Sequence, residues 1–163
     1  MNVLVVSQYF YPEKFRINDL CYGLKDLGHE VVVLTGKPNY PKGKFYKGYS
    51  WNTKSTEIIN GIKVYRSNLI PRSNSSGFRL FLNYISFVFF GSIKLFFIKE
   101  KFEKIFVYAP SPITVGFIGV IASFIFRAKP FLWVHDLWPE SLRDAGGVNN
   151  KIAPEVIKAG ANV

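Results

Sequence analysis

The chain opens with NVLVVSQYFYPEKFRINDLCYGLKDLGHEVVVL, residues 2–34, in which two apolar runs enclose a segment of helical periodicity. Residues 2–7 and 30–34 are rich in β-branched side chains, which is typical of buried parallel strands. The segment between them carries apolar side chains at helical spacing, namely Ile17, Leu20, Cys21, Leu24 and Leu27. A β-α-β unit closed within so short a stretch predicts a parallel sheet with a right-handed crossover.

The ends of this first helix and the order of the later elements can also be predicted. Asn18 or Asp19 is expected to cap the helix, and Gly28 to end it. Asn60-Gly61 predicts a hairpin between strands at residues 56–59 and 62–66. Further strands are predicted at 104–108 and 131–135, and helices at 78–97, 113–126 and 136–144. This alternation predicts an α/β fold, a Rossmann-like doubly wound and mostly parallel sheet, over residues 1–150, with a divergent tail at 151–163.

The composition narrows the classes of partner. The 163 residues include 21 Lys and Arg but only 11 Asp and Glu, which gives a net charge of +10. This charge favours anionic partners such as phosphates, nucleic acid or acidic lipid headgroups. A single cysteine, Cys21, excludes a disulfide framework and a multi-cysteine metal site, and fits a cytoplasmic location. We find no secretory signal and no run of the roughly 20 apolar residues that would span a bilayer.

The loop after the first strand is a candidate phosphate site. In an open α/β sheet, ligands bind beyond the carboxyl ends of the strands. Lys14 and Arg16 therefore lie near a helix N-terminus, where the helix dipole and the side chains both attract a phosphate. The alternative is that both are ordinary surface charges.

His135 directly ends the predicted strand at 131–135 and is a candidate catalytic residue. A histidine at a strand end can hydrogen-bond a sugar hydroxyl or carry a proton near neutral pH. The alternative is a buried, hydrogen-bonded core histidine. Asp136 is expected to cap the following turn, and Glu140 lies in the first turn of a helix started by proline, where it could also bind an acceptor.

Two segments combine aromatic side chains with charge. In residues 37–49, lysines alternate with tyrosine and phenylalanine, as in single-stranded nucleic-acid binders and equally in loops that stack sugars and hold a diphosphate. The helix at 78–97 is apolar except for a narrow sector of Arg79, Asn83, Ser86 and Lys94. So wide an apolar arc requires two apolar neighbours, one of them the sheet. The other is lipid, another helix or a partner domain. Two or three phenylalanines on that face would dock reversibly on a bilayer, and the alternative is a deeply buried core helix.

Four motifs in register carry a resemblance: YFYPEKFRINDL, LGHEVVVLTGKPNYPKGKFYKGY, GIKVYR and WVHDLWPES. They resemble family 4 glycosyltransferases of the WbuB and WcaI type over residues 1–147. The resemblance implies one half of a GT-B fold, in which this N-terminal domain holds the acceptor and a C-terminal domain holds the nucleotide-sugar donor. It implies sugar transfer with retention and without metal or cofactor in capsule or O-antigen synthesis. An N-acetylfucosamine-type sugar would pass to a polyprenyl-diphosphate-linked acceptor.

The resemblance also implies roles for individual residues. His135 falls where the wider family has a histidine that touches the transferred sugar. The expected substrate-binding residues are Lys14, Arg16, Asn18, Lys37, Asn39, Tyr40, Lys44, Asp136 and Glu140. For the basic and aromatic loop, the resemblance favours sugar and diphosphate over nucleic acid.

The chain departs from the family pattern in two respects. Lys14-Phe-Arg16 stands where many relatives have a Gly-Gly pair that approaches the donor diphosphate. The donor-binding domain is not in this sequence, so we expect the isolated chain to be inactive. The alternative is a non-catalytic, membrane-docked subunit that binds acceptor and pairs with a separate donor-binding chain. We further expect a peripheral position on the inner face of the cell membrane, and self-association through the apolar wall that the second domain would cover.

Overall fold

The computed structural model describes residues 1–53, 55–73, 77–110 and 112–135. Within these ranges the strands are β1 Asn2–Ser7, β2 Glu30–Gly36, β3 Thr56–Ile59, β4 Ile62–Ser67, β5 Lys104–Ala109 and β6 Lys129–Val134. The helices are α1 Arg16–Asp26, α2 Gly77–Leu95 and α3 Gly116–Phe126, with a 3-10 turn at Ile113–Val115. The described strands form one sheet in the order β3-β4-β2-β1-β5-β6, in which only β3 runs antiparallel to its neighbour. The predicted Rossmann-like fold is confirmed.

The central strand β1 is buried on both faces because helices cover both sides of the sheet. Val3 and Val5 pack in one cluster with Cys21 of α1. Leu4 and Val6 point to the opposite face and pack in a second cluster with residues of α2 and α3. The continuous apolar run at the start of the chain thus reflects a strand between two helical layers. Cys21 is buried, and its burial raises the pKa of the thiol to about 12.

The prediction for the start of α1 is wrong. The helix begins at Arg16, and its N-cap residue Phe15 makes no capping hydrogen bond through its side chain. Neither Asn18 nor Asp19 caps it, because both lie inside the first turn, and the Asn18 amide donates to the backbone oxygen of Glu13 at 2.7 Å. The predicted end is confirmed. Gly28 follows the helix at a φ of +82°, a conformation that glycine adopts without strain.

The other predicted elements are confirmed with small changes of boundary. Asn60 and Gly61 have φ of 48° and 76°, as a tight two-residue hairpin turn requires. The helix predicted at 113–126 divides into the 3-10 turn and α3, and β6 begins at Lys129 rather than at Phe131. The helix predicted at 136–144 and the tail at 151–163 lie outside the described residues.

The orientation of α2 differs from the sequence interpretation. Part of its narrow polar sector faces inward, since Asn83 and Ser86 are buried together with Phe87. The outward stripe is apolar and consists of Phe78, Phe81, Ile85, Phe89 and Ile93 of α2 and of Phe96 directly after the helix, all exposed. We call these six residues the α2 stripe.

α2 is also long and apolar enough to cross a membrane by length and composition alone, with a mean hydropathy of 1.3 over its best window. No spanning segment was expected from the sequence. The buried amide of Asn83 and the contact of Phe87 with the core of the sheet make α2 a helix of this domain.

Gly119 and Gly116 of α3 offer a test of the packing between this helix and the sheet. A Cβ at Gly119 would overlap the side chain of Val107 on β5, whereas at Gly116 the nearest atom is Leu132 at 3.8 Å. We expect Gly119→Ala to lower the free energy of unfolding by about 1–2 kcal/mol, because the overlap with a stiff β-branched side chain outweighs the gain in helix propensity. Gly116→Ala should leave stability unchanged or raise it. Urea denaturation of both variants measures the difference, and equal midpoints would contradict this packing.

Candidate functional site

The topology brings five loops to one edge of the sheet. From β1 the chain moves through β2 to β4 in one direction, and then continues with β5 and β6 on the other side of β1. The loops that follow these parallel strands all leave from the carboxyl edge, and the direction of winding changes between β1 and β5. This change of direction is where open α/β sheets bind ligands.

Lys14, Arg16 and Asn18 lie together at this edge. They line one open pocket of about 460 Å³ beside α1, together with Tyr11, Phe15, the carboxylate-bearing Asp19, Tyr22 and, from the turn between β3 and β4, Asn60. Both cationic side chains are exposed. The first turn of α1 has no side-chain cap, and the N–H of Asn18 in this turn donates to the backbone oxygen of Phe15 at 3.0 Å. The N–H groups of Arg16 and Ile17, which come before it, are left for a ligand. Asn18 is only 8% exposed, and its Oδ1 has no hydrogen-bond partner among the described residues. We call this the α1 pocket.

An aromatic stack connects the α1 pocket with the loop after β2. Phe15 lies parallel to Tyr9, with ring centroids 4.8 Å apart, and Tyr40 packs against both rings. Arg72, from the segment after β4, lies over the Tyr40 ring at 5.3 Å. Tyr40 is 38% exposed, so part of its ring remains open to a ligand.

Glu13 is a buried carboxylate that joins the same two loops. It is 2% exposed, and its Oε1 accepts the backbone N–H groups of Asn39 at 2.8 Å and Tyr40 at 2.6 Å. Oε2 has no partner among the described residues. Burial raises the pKa of Glu13 to about 7, while the two backbone hydrogen bonds and the charge of Arg66 act in the opposite direction. The shape of the loop after β2 therefore depends on a titratable group in the loop after β1.

Asn39 belongs to a buried amide network rather than to an open surface. Its Oδ1 accepts weak hydrogen bonds from the Arg72 backbone and the Asn83 amide, both at 3.4 Å. Asn83 in turn accepts from Gln8 at 2.7 Å and donates to the backbone oxygen of Ile70 at 2.6 Å. This network fixes the segments that follow β1, β2 and β4 against α2.

The two lysines predicted in the loop after β2 occupy different environments. Lys37 is buried, and its ammonium donates to the backbone oxygens of Ser50 and Trp51. Burial, followed by the charge of Lys94, lowers the pKa of Lys37. Lys44 is exposed on the loop. The structure does not bring Lys37 or Lys44 into the lining of the α1 pocket.

His135 follows β6 at the same carboxyl edge, on the far side of β5. Its backbone N–H donates to Ala109 at 3.1 Å, and its ring packs on Tyr108 and Trp133 with centroids 4.8 and 4.6 Å away. The residue is exposed, so the alternative of a buried core histidine is wrong. Asp136 and Glu140 lie outside the described residues.

Four residues of this region were not predicted from the sequence: Gln8, Glu13, Arg72 and Asn83. A signal existed for Asn83, because it occupies the narrow polar sector of an otherwise apolar helix. The sequence around residues 13 and 14 does not indicate that Glu13 is buried while Lys14 is exposed. Over the described ranges, no three His, Cys, Asp or Glu side chains come together as metal ligands.

Comparisons with known proteins were made by family, by sequence and by structure. No protein-family model matches the chain. The ribosomal protein uL24 of Wolbachia pipientis wMel is 36% identical over 50 residues, which is 31% of this chain and 48% of that protein. uL24 of the Wolbachia of Drosophila simulans gives the same values. So short a match does not establish a family.

A solved structure gives a match over most of the chain. Sucrose-phosphate synthase from Thermosynechococcus elongatus superposes with a TM-score of 0.58 at 16% identity, over 93% of this chain and 36% of that enzyme. The chain has the fold of one half of a GT-B glycosyltransferase. It spans about a third of the length of this enzyme, and at this identity the likeness concerns the fold.

Proposed function

We propose that this chain is the acceptor-side domain of a retaining glycosyltransferase of the WbuB and WcaI type. The observation that carries the proposal is the α1 pocket, where Lys14, Arg16 and Asn18 meet an uncapped helix N-terminus at the carboxyl edge of the sheet. The likeness of fold to sucrose-phosphate synthase supports it.

The groups in the α1 pocket suit a sugar attached to a diphosphate. Lys14, Arg16 and the N–H groups of Arg16 and Ile17 are positively polarised and would hold the diphosphate, and the two cations outnumber Asp19, the one carboxylate among the described lining residues. Asn18 Oδ1 is a hydrogen-bond acceptor without a donor, as a sugar hydroxyl would supply. Tyr40, which is 38% exposed and is held by its contacts with Tyr9 and Phe15, offers an aromatic ring on which a sugar ring can pack.

In this proposal the α1 pocket binds the acceptor, and His135 contacts the transferred sugar. Exposed at the carboxyl edge and packed against Tyr108 and Trp133, it would hydrogen-bond the sugar that is being transferred. The nucleotide-sugar donor would be held by a second domain or by a separate chain. The acceptor is proposed to be a polyprenyl-diphosphate-linked sugar at the inner face of the membrane, and the transfer to proceed without a metal.

Binding of a soluble acceptor tests the proposal. We expect Lys14→Ala/Arg16→Ala to weaken binding of a short-chain prenyl-diphosphate-linked N-acetylamino sugar at least 30-fold by calorimetry, since about 2 kcal/mol is lost with two charge-assisted contacts. The matched control is Lys99→Ala/Lys101→Ala, which removes the same charge from two exposed residues in the segment before β5.

The control should bind within about twofold of the unsubstituted chain. Equal binding by the unsubstituted chain and the Lys14→Ala/Arg16→Ala variant would contradict the assignment of the α1 pocket. Acceptor binding that never leads to transfer, even with the donor-binding domain present, would favour a non-catalytic acceptor-binding subunit.

A further inference from the structure

We propose that a second pocket, between the loop after β2 and the C-terminal half of α2, binds the headgroup phosphate of an anionic phospholipid. In this arrangement the α2 stripe enters the acyl region beside it. The pocket has a volume of about 280 Å³, enough for a phosphate group, and we call it the α2 pocket. Lys37, Trp51, Asn68, Phe90, Lys94 and Phe97 are among the residues that line it.

The charge of the α2 pocket is unbalanced. Three cationic side chains line it, and none of its described lining residues is acidic. Arg66 is neutralised by an ion pair with Glu57, in which Nε and Oε1 are 2.6 Å apart. Lys37 and Lys94 have no such partner in the part of the chain that the structure describes. Two neighbouring cations without a carboxylate favour an anion between them.

The two ammonium groups retain hydrogen-bonding capacity. Lys37 uses two of its three N–H donors on the backbone oxygens of Ser50 and Trp51. Lys94 is half-buried and has no hydrogen-bond acceptor among the described residues, its nearest partner being the face of the Tyr65 ring at 6.0 Å. Burial lowers the pKa of both lysines, so each charge is held in a poorly solvated position. A phosphate would supply the missing counter-charge and acceptors.

Continuity with the α2 stripe decides which phosphate compound fits. Ile93 belongs to the stripe and also lines the α2 pocket, and Phe97, which lines it as well, is 65% exposed. A soluble phosphate would use the lysines but leave these apolar side chains in water. A phospholipid would occupy both, because its headgroup phosphate lies next to its acyl chains.

This pocket is separate from the α1 pocket, with which it shares no lining residue. Its occupation would place the domain on an anionic membrane whether or not a sugar acceptor is bound. Vesicle binding measured without any sugar compound therefore tests it independently of the proposed function.

The test compares two lysine substitutions in vesicle co-sedimentation. We expect the unsubstituted chain to bind vesicles of phosphatidylcholine with phosphatidylglycerol at least tenfold more tightly than vesicles of phosphatidylcholine alone. Lys94→Gln should weaken binding to the anionic vesicles at least fivefold, while Lys99→Gln, an equal charge change at an exposed site outside the pocket lining, should weaken it less than twofold. Phe89→Ser/Phe96→Ser should reduce binding to both kinds of vesicle.

Two further measurements keep the proposal falsifiable. Thermal unfolding of each variant excludes misfolding as the cause, and inorganic phosphate at millimolar concentration should not displace the chain from vesicles. Equal losses in Lys94→Gln and Lys99→Gln would overturn the proposal, since binding would then follow overall charge. Full displacement by inorganic phosphate would also overturn it, since the pocket would then prefer a soluble anion.

Discussion

Replacing Arg66 by methionine is expected to lower the free energy of unfolding by about 3–5 kcal/mol. Arg66 is among the largest fully buried side chains, with 1% exposure. Its guanidinium donates to Glu57 Oε1, to the backbone oxygen of Gly36 at 3.2 Å and to the backbone oxygen of Tyr11. It also lies over the Tyr49 ring, 5.4 Å from its centroid.

The loss is large because one substitution leaves several buried groups without a donor. Methionine fills much of the same volume but donates no hydrogen bond, so the oxygens of Gly36 and Tyr11 and one carboxylate remain desolvated and less well paired. Tyr11 lies in the loop after β1, and Gly36 ends β2. The substitution should therefore loosen the candidate site as well as the core.

Urea denaturation measures this effect, and an exposed ion pair provides the control. Lys63 and Glu100 are joined at 2.5 Å, with 42% of the Lys63 side chain exposed. Exposed pairs contribute little to stability, so Lys63→Met should shift the midpoint far less than Arg66→Met. Similar shifts in the two variants would contradict the structural role assigned to Arg66.

Glu13→Gln is expected to remove a pH dependence of stability worth about 3 kcal/mol. Burial raises the pKa of Glu13 from its ordinary value of 4.5 to about 7. Between these two values the folded chain keeps a proton that the unfolded chain has released. Stability from this group is therefore greatest below pH 4.5, falls as the pH rises through this window, and is constant above about 7.

Glutamine isolates the effect of the proton. Its side-chain oxygen can still accept the N–H groups of Asn39 and Tyr40, but the residue does not titrate. Urea midpoints at four pH values between 4.5 and 7.5 should fall less steeply for Glu13→Gln than for the unsubstituted chain. Parallel profiles would show that Glu13 ionises in the folded chain as it does in water.

The parts of the fold that were predicted correctly depend on local signals. The apolar runs of β1 and β2, the positive φ of Gly28 and the turn at Asn60-Gly61 are each encoded within a few residues. Lys14, Arg16 and Asn18 lie together because they are neighbours at the start of one helix, and their role in binding stays a prediction. The predicted capping residue of α1 is wrong, because the Asn18 side chain donates to the backbone oxygen of Glu13 instead of capping the helix.

The parts that were missed depend on contacts between distant segments. Glu13 meets the backbone of residues 39–40, and Asn83 joins Gln8 across 75 positions of the chain. Neither partner can be found from spacing along one element. For α2, apolar residues cover so much of the helix that periodicity does not indicate which sector faces the sheet. The burial of Asn83 and Ser86 and the exposure of the α2 stripe are determined by the packing of the helix against the rest of the domain.

The measurement that tests the central claim most directly is a titration of the isotope-labelled chain with a short-chain prenyl-diphosphate-linked N-acetylamino sugar, followed by amide chemical shifts. If the carboxyl edge of the sheet holds the acceptor, the largest changes will lie at Lys14, Arg16, Asn18 and Tyr40. Changes confined to the opposite edge, at Glu30, Lys104 and Lys129 where β2, β5 and β6 begin, would contradict an acceptor domain of this kind, as would a spectrum unchanged at saturating ligand.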